Sequence, residues 1–193
     1  MRDEPESWPV HETRDVWRGP APFGVRNDLV SVPGGDERFW RLVVEHPGAA
    51  AVLAVDDDER ALVLRQYRHP AGVRFAELPA GLLDGPGEDP LDAARRELLE
   101  EGALEASEWH HLNTVHSSPG ISSERIEIFL ARGLNAVPDR GGFELEHEEA
   151  DMTVEWVPVE ALVDGVLERR LTDGPLATAV LTYQLLRNRV RRP

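Results

Sequence analysis

Three glutamates, Glu97, Glu100 and Glu101, lie three and four positions apart in the run Arg95-Arg96-Glu97-Leu98-Leu99-Glu100-Glu101. On a helix that spacing puts all three carboxylates on one face. Leu91, Ala94 and Leu98 then form a separate apolar stripe able to dock on a sheet. Carboxylates packed this closely repel one another, so a stable fold has to bring cations to them. Arginine side chains can do this, and so can a hard divalent ion with oxygen ligands. In an acidic protein the same run also serves as a solvated helix face. The loop before the helix separates the two readings. Gly81 and the tight Gly/Pro turn after it can return the chain so that a backbone carbonyl sits beside the carboxylates. Carboxylate and carbonyl oxygens together make a Mg²⁺ site that a substrate's oxygens can complete.

The elements that must position this face can be read from the rest of the chain. A length of 193 residues suits one domain with a real core. Hydrophobic residues at 41% and charged residues at 30% are ordinary globular composition. From Val10 to His46 three strand-like runs occur, HETRDVW, FGVRNDLVSV and RFWRLVVEH, separated by the turn signals GPAP and PGGDE. AAAVLAV and ALVLRQYRH, joined by DDDER, read as a hairpin of apolar strands central to a sheet. PAGLLDGPGEDP reads as a loop. A helix follows from about Pro90 to Ala103, with Asp89 as N-cap and Pro90 at the first helical position. Further strands are expected near WHHLNTV, RIEIFLARGL and DMTVEWVPV, and helices near VEALVDGVLERR and from Gly174 to Arg191. The last helix carries Leu176, Ala179, Val180, Tyr183 and Leu186 at helical spacing. The expected class is α/β with a mixed central sheet, divided into an N-terminal antiparallel β subdomain over 1–46 and a catalytic domain over 47–193.

Charge narrows the partners. Thirty-six acidic against 21 basic residues give a formal net charge of −15. Bulk electrostatics then work against nucleic acid and against an anionic membrane. Every strong cation is an arginine, so phosphate contacts would come from planar, bidentate guanidinium groups. Cysteine is absent, which excludes disulfides, thiolate metal sites and a thiol nucleophile. No apolar run reaches the roughly 18 residues of a membrane span, and MRDEPESWPV lacks the pattern of a signal peptide. A cytoplasmic protein is expected.

The segment from Gly81 through Glu88, Arg96-Glu97-Leu98-Leu99-Glu100-Glu101, Gly102, Ala103 and Leu104 resembles the Nudix box, G-x5-E-x7-R-E-U-x-E-E-x-G-U, where U is aliphatic. It departs twice. Six residues separate Gly81 from Glu88, and Ala103 stands at the late glycine position with Gly102 before it. The second departure is expected to shift which residue turns left-handed after the helix. The resemblance implies a Nudix α/β/α sandwich, and Mg²⁺, or Mn²⁺ in its place, held mainly by Glu97 and Glu101. Glu100 and the Ala80 carbonyl would support them, and Arg96 and Glu88 would brace the loop and helix.

EHPGAAAVLAV, LRQYRHP and ELPAGLLD, followed by Ser118-Pro119-Gly120 and Glu124, resemble the ADP-ribose pyrophosphatase branch in order and spacing over about Trp17 to Pro158. That resemblance implies hydrolysis of ADP-ribose to AMP and ribose 5-phosphate. Arg68 would contact a phosphate, and Glu77 the substrate or that arginine. Leu82 and Pro119 would be substrate contacts, and Ser118 and Glu124 would sit near the terminal ribose. A homodimer exchanging its N-terminal strands is also implied, with Trp17 and Arg41 as adenine contacts. The general base is expected in the acidic loop FELEHEEADM, at Glu148 or else Glu149. Two readings stay beside this one: hydrolysis of another nucleoside diphosphate sugar or a dinucleotide (GDP-mannose, ADP-glucose, NADH), and a non-catalytic nucleotide-sensing module.

Overall fold

A computed structural model describes residues 1–19, 22–83, 87–137 and 151–190, with the side chain of Val190 excepted. These residues form two compact units.

The first unit comprises Met1–Gly48 together with His116–Arg125. Its sheet is antiparallel, in the order β1 (Val10–Arg18), β2 (Gly24–Ser31), β3 (Arg38–Glu45). All nine residues of β1 are exposed, whereas the middle strand buries Asp28 and Ser31. Asp28 is satisfied there by the Thr13 hydroxyl at 2.8 Å and by Arg26 Nε at 2.9 Å, which is what makes a buried carboxylate tolerable. The 116–125 segment runs along β3: Val44 N–H donates to the Ile121 carbonyl at 2.8 Å and Ser123 N–H to the Val44 carbonyl at 3.0 Å.

The second unit comprises Ala49–Val115 and Ile126–Pro193. It has two sheets. One is mixed, in the order β7 (Ala80–Leu82), β4 (Ala49–Ala54), β9 (Ile126–Ala136), β8 (Leu104–Val115), with β4 parallel to β9 and the other pairs antiparallel. The other is antiparallel, β10 (Thr153–Pro158), β5 (Arg60–Arg68), β6 (Val73–Glu77). Among the described residues three helices accompany them, α1 (Pro90–Gly102), α2 (Val159–Leu167) and α3 (Gly174–Val190).

The period of two in β4 builds the layers. Ala50, Val52 and Ala54 pack with Ala93, Ala94 and Leu98 of α1. Ala49, Ala51 and Leu53 pack with Val159 and Leu162 of α2 and with Leu176, Ala179, Val180 and Tyr183 of α3. Small side chains on β4 let helices approach both faces, and all six residues are buried. This is the α/β sandwich with a mixed sheet that the sequence predicts.

Three local expectations change. AAAVLAV and ALVLRQYRH do form strands at the centre of sheets, but not one hairpin. Only the isolated bridge Val55–Ala61 links them, and β5 pairs with β6 and β10 instead. Apolarity on both faces marks a strand as central and says nothing about its neighbour. PAGLLDGPGEDP is not wholly loop, since Ala80–Leu82 pairs with Ala49–Ala51.

The third change is at the end of α1. Its start is as expected, Asp89 accepting the Leu91 N–H at 2.9 Å with Pro90 next. At its end the left-handed residue is Ala103 (φ 52°, ψ 40°), while Gly102 stays in the last helical turn. Gly102 is there for space: a Cβ on it would lie 2.8 Å from Leu62 Cδ2. A left-handed alanine costs about 1 kcal/mol. Ala103→Gly should therefore raise unfolding free energy in urea by about 1 kcal/mol, whereas Leu98→Ala, which opens the core beneath α1, should lower it by about 3 kcal/mol.

Candidate active site

α1 docks on the mixed sheet through Ala93, Ala94 and Leu98, and the same geometry turns Glu97 and Glu101 inward, at 7% and 5% exposure. Glu97 lies directly over β7. A Cβ built on Gly81 would stand 2.0 Å from Glu97 Oε1, so only glycine leaves the carboxylate its place. Glu101 Oε2 accepts the Ala80 N–H at 2.8 Å. The helix and the short strand thus meet through carboxylate and backbone polar groups.

Arg96 is the cation of this cluster. Its Nη1 donates to Glu97 Oε1 at 2.5 Å and lies 3.5 Å from Glu100 Oε2; its Nη2 donates to the Leu82 carbonyl at 3.0 Å and lies 3.6 Å from Glu88 Oε1. The bracing role expected of Arg96 and Glu88 is visible in this geometry. With Glu97 and Glu100 turned to Arg96 and Glu101 to the Ala80 amide, no three acidic or imidazole side chains among the described residues converge as a metal-binding group.

Two further carboxylates belong to this region, and the motif did not point to either. Glu127 on β9 is buried and faces Ala50 in the ladder, and Ala50 faces Gly81 on its other side. Directly opposed residues share a sheet face, so Glu127 stands on the α1 face two strands from Gly81. It accepts bonds from the Thr114 hydroxyl at 2.7 Å and contacts His111 Nε2 at 2.7 Å. An acidic residue inside the apolar run RIEIFLA was the available signal.

The second is Asp173. Its carboxylate accepts the Leu176 N–H at 2.8 Å and its carbonyl the Ala177 N–H at 3.1 Å, capping α3. Burial first, then the negative charge of Glu77, push its carboxyl up to about 6, against the Leu176 amide and Arg68, which favour ionisation. In sequence it reads as an ordinary cap.

Arg68 and Glu77 sit on neighbouring strands, β5 and β6. Arg68 Nε donates to both Glu77 oxygens at 3.0 Å and Nη2 to Oε2 at 2.6 Å. This fork-to-carboxylate pairing raises the Arg68 pKa, above all through the bond to Glu77. Glu77, expected to meet either the substrate or this arginine, is thus paired with Arg68 in the structure.

The remaining described candidates lie in the first unit. Ser118 and Pro119 are exposed. Glu124 receives a bond from the Ser117 hydroxyl and stands 3.3 Å from His46 Nε2. Burial lowers the His46 pKa, and the charge of Glu124 opposes that only in part. Trp17 is 53% exposed and faces Val25 in the ladder. Arg41 faces Asp28 and lies over the Phe39 ring at 4.3 Å, so the sheet does not set these two side by side. Glu148 and Glu149, the candidate bases, lie outside the described residues.

A NUDIX domain model matches residues 45–177. The chain belongs to the Nudix family. Among curated relatives it is 42% identical over 171 residues to the ADP-ribose pyrophosphatase of Mycobacterium tuberculosis, covering 89% of this chain and 81% of that one. It is 36% identical to the methanol dehydrogenase activator of Bacillus methanolicus, covering 82% of this chain and 83% of the relative. A crystal structure described as an ADP compounds hydrolase superposes with a TM-score of 0.80 over 100% of both chains at 18% identity, a likeness of fold. The intact R-E-U-x-E-E core of this Nudix chain is the part of α1 that lies against β7.

The raised Asp173 pKa has a signed consequence. Between about pH 4 and pH 6 the unfolded chain releases this proton while the folded protein retains it, so rising pH costs stability across that window. Asp173→Asn keeps a capping oxygen and removes the titration. Urea unfolding should find the variant gaining on the parent from pH 4 to pH 6, by up to about 3 kcal/mol, with no further gain at higher pH.

Proposed function

We propose that this protein is a Nudix pyrophosphatase that uses Mg²⁺, with Mn²⁺ as a substitute, to hydrolyse ADP-ribose to AMP and ribose 5-phosphate. The observation that carries the reading is the pair of buried carboxylates, Glu97 and Glu101, one helical turn apart and seated against the Ala80–Leu82 backbone. Such a set of hard oxygen donors fits Mg²⁺. Glu97 and Glu101 would hold the ion, with Glu100 and the Ala80 carbonyl in support. When bound, a divalent cation supplies neutralising charge for the diphosphate.

The chain's own groups do the remaining work. Arg68 binds a phosphate oxygen, and Glu77 holds its guanidinium in one orientation through the fork-to-carboxylate pair. Leu82 lines the diphosphate. Arg96 keeps α1 registered on the loop through the Leu82 carbonyl. Water attacks one phosphorus, the bond from that phosphorus to the bridging oxygen breaks, and the water's proton passes to Glu148, or to Glu149 if Glu148 is not the base. Ser118 and Glu124 as ribose contacts, Pro119 as a further substrate contact, and Trp17 and Arg41 as adenine contacts belong to the same proposal. The relative from Mycobacterium tuberculosis supports ADP-ribose as substrate. The retained carboxylates weigh against a non-catalytic module.

We also place the protein in the cytoplasm as a homodimer. The absence of cysteine supports the first, and the exposed Val10, Val16, Trp17 and Leu42 of the N-terminal sheet support the second. Light scattering at micromolar concentration should give twice the chain mass.

Turnover of ADP-ribose, ADP-glucose, GDP-mannose, NADH and diadenosine polyphosphates with Mg²⁺ should give the highest kcat/KM for ADP-ribose. Strong preference for another compound would reassign the substrate, and tight binding without hydrolysis would make the chain a sensor. Glu97→Gln should abolish metal-dependent turnover while leaving the fold intact by circular dichroism; full activity in that variant would overturn the ligand assignment. Gly81→Ala, which displaces the Glu97 carboxylate, should act in the same direction. Glu148→Gln should lose kcat by about 10²–10⁴-fold with little change in KM if Glu148 is the base, and near-normal turnover would pass the role to Glu149.

A further inference from the structure

On the face of the mixed sheet opposite α1 lies a cavity of about 430 Å³ that the proposed reaction does not use. Its place follows from the period of β9. Phe129 and Ala131 pack toward α1, so Leu130 and Arg132 point the other way, toward α3. Leu112 of β8, Leu130 of β9 and Leu186 of α3 give it apolar walls. Leu186 is 44% exposed despite sitting on the apolar stripe of α3. The last member of that stripe opens onto this cavity.

One edge is built differently. Glu59 sits left-handed (φ 59°) between β4 and β5, and its backbone carbonyl accepts the Val159 N–H at 3.0 Å, which fixes its position. Its carboxylate receives Arg132, the Tyr183 hydroxyl at 2.8 Å and Arg187 Nη1 at 2.9 Å. Arg132 also donates to the Tyr183 oxygen and to the Asp56 carbonyl at 3.2 Å. Both guanidiniums lie over the Tyr183 ring, at 5.7 and 5.5 Å from its centre. Burial works to raise the Glu59 pKa, but the bonds from Arg132 and Tyr183 outweigh it and hold the carboxyl below its usual value.

Among the described charged side chains lining the cavity, two guanidiniums therefore meet one carboxylate. Two guanidiniums carry about ten N–H donors, and a carboxylate offers about four acceptor positions. Donors and positive charge are both in excess at this edge, in a chain whose net charge is −15. An anion seated here would find bidentate, charge-assisted donors beside apolar side chains. The volume lies within the range of small-molecule sites.

We propose that this cavity is a second binding site, for a small organic anion with a flat apolar body and one carboxylate or phosphate group. The anionic group would bridge Arg132 and Arg187 next to Glu59, and the apolar body would lie between Leu112, Leu130 and Leu186. Neither the acidic face of α1 nor Arg68 takes part.

The test is an NMR titration of the isotopically labelled protein with benzoate, benzyl phosphate, benzyl alcohol and inorganic phosphate. Benzoate or benzyl phosphate should shift the signals of Arg132, Tyr183, Leu186 and Arg187 saturably, with benzyl alcohol and inorganic phosphate each at least about tenfold weaker. Arg187→Gln, which removes one guanidinium, and Leu186→Trp, which fills the cavity without touching a charge, should each weaken benzoate by about tenfold or more. Both should leave the melting temperature near that of the parent and the hydrolytic kcat unchanged. The proposal fails if benzyl alcohol binds as tightly as benzoate. It also fails if the shifts survive in both variants, if they map to α1 and β7 instead, or if no probe saturates by about 10 mM.

Discussion

Two carboxylates buried against a glycine are the constraint on which the second unit turns. Glu97 and Glu101 cannot be taken out of water without compensation. The protein meets that cost with the Arg96 guanidinium and the Ala80 amide. This works only if β7 comes close enough for its backbone to reach α1, which is why a side chain at Gly81 would displace the Glu97 carboxylate. Placing β7 there requires β4 as its partner, and β4 in turn must be apolar on both faces to carry α1 on one side and α2 with α3 on the other. The small residues of the Ala49–Ala54 strand, the glycine and the acidic helix are one device seen from three directions.

Acidity in the unit is kept in separate, compensated compartments. Arg96 answers to the α1 cluster, Arg68 to Glu77, and Arg132 and Arg187 to Glu59. Arginine suits all three, because a fork of donors can meet a carboxylate and a backbone carbonyl together. Asp173 sits next to one of these pairs and is compensated less fully, hence its raised pKa. Groups held away from their solution behaviour are costly, and they gather where charge has to be handled.

The Nudix relatives and the fold agree on what kind of molecule this is, but they bear on different links of the argument. The family match and the 42% identical relative concern chemistry carried by residues. The structural likeness at 18% identity concerns the chain's path, and a fold by itself does not decide a reaction. The α1–β7 geometry joins the two, because it is where the motif residues and the backbone path meet.

Much of this was legible in the residues. The N-cap at Asp89, the carboxylate face, the apolar stripe of α1 and most strands are written in patterns that repeat within one or two turns, and such signals survive without knowledge of the rest of the chain. The fold class followed from their order. Long-range choices were not legible. Which strands flank β4 and β5 depends on partners up to a hundred residues away, and both look alike to a period of two. Gly102 stays helical with Leu62 filling the space where its side chain would stand, and the left-handed conformation falls to Ala103. Glu127 and Asp173 read as a strand residue and a cap until the ladder and the start of α3 bring them to the site. The acidic helix was thus determined by local sequence. Its burial against Gly81, and the charges gathered around it, were decided by tertiary packing, because only packing settles which groups lose their water.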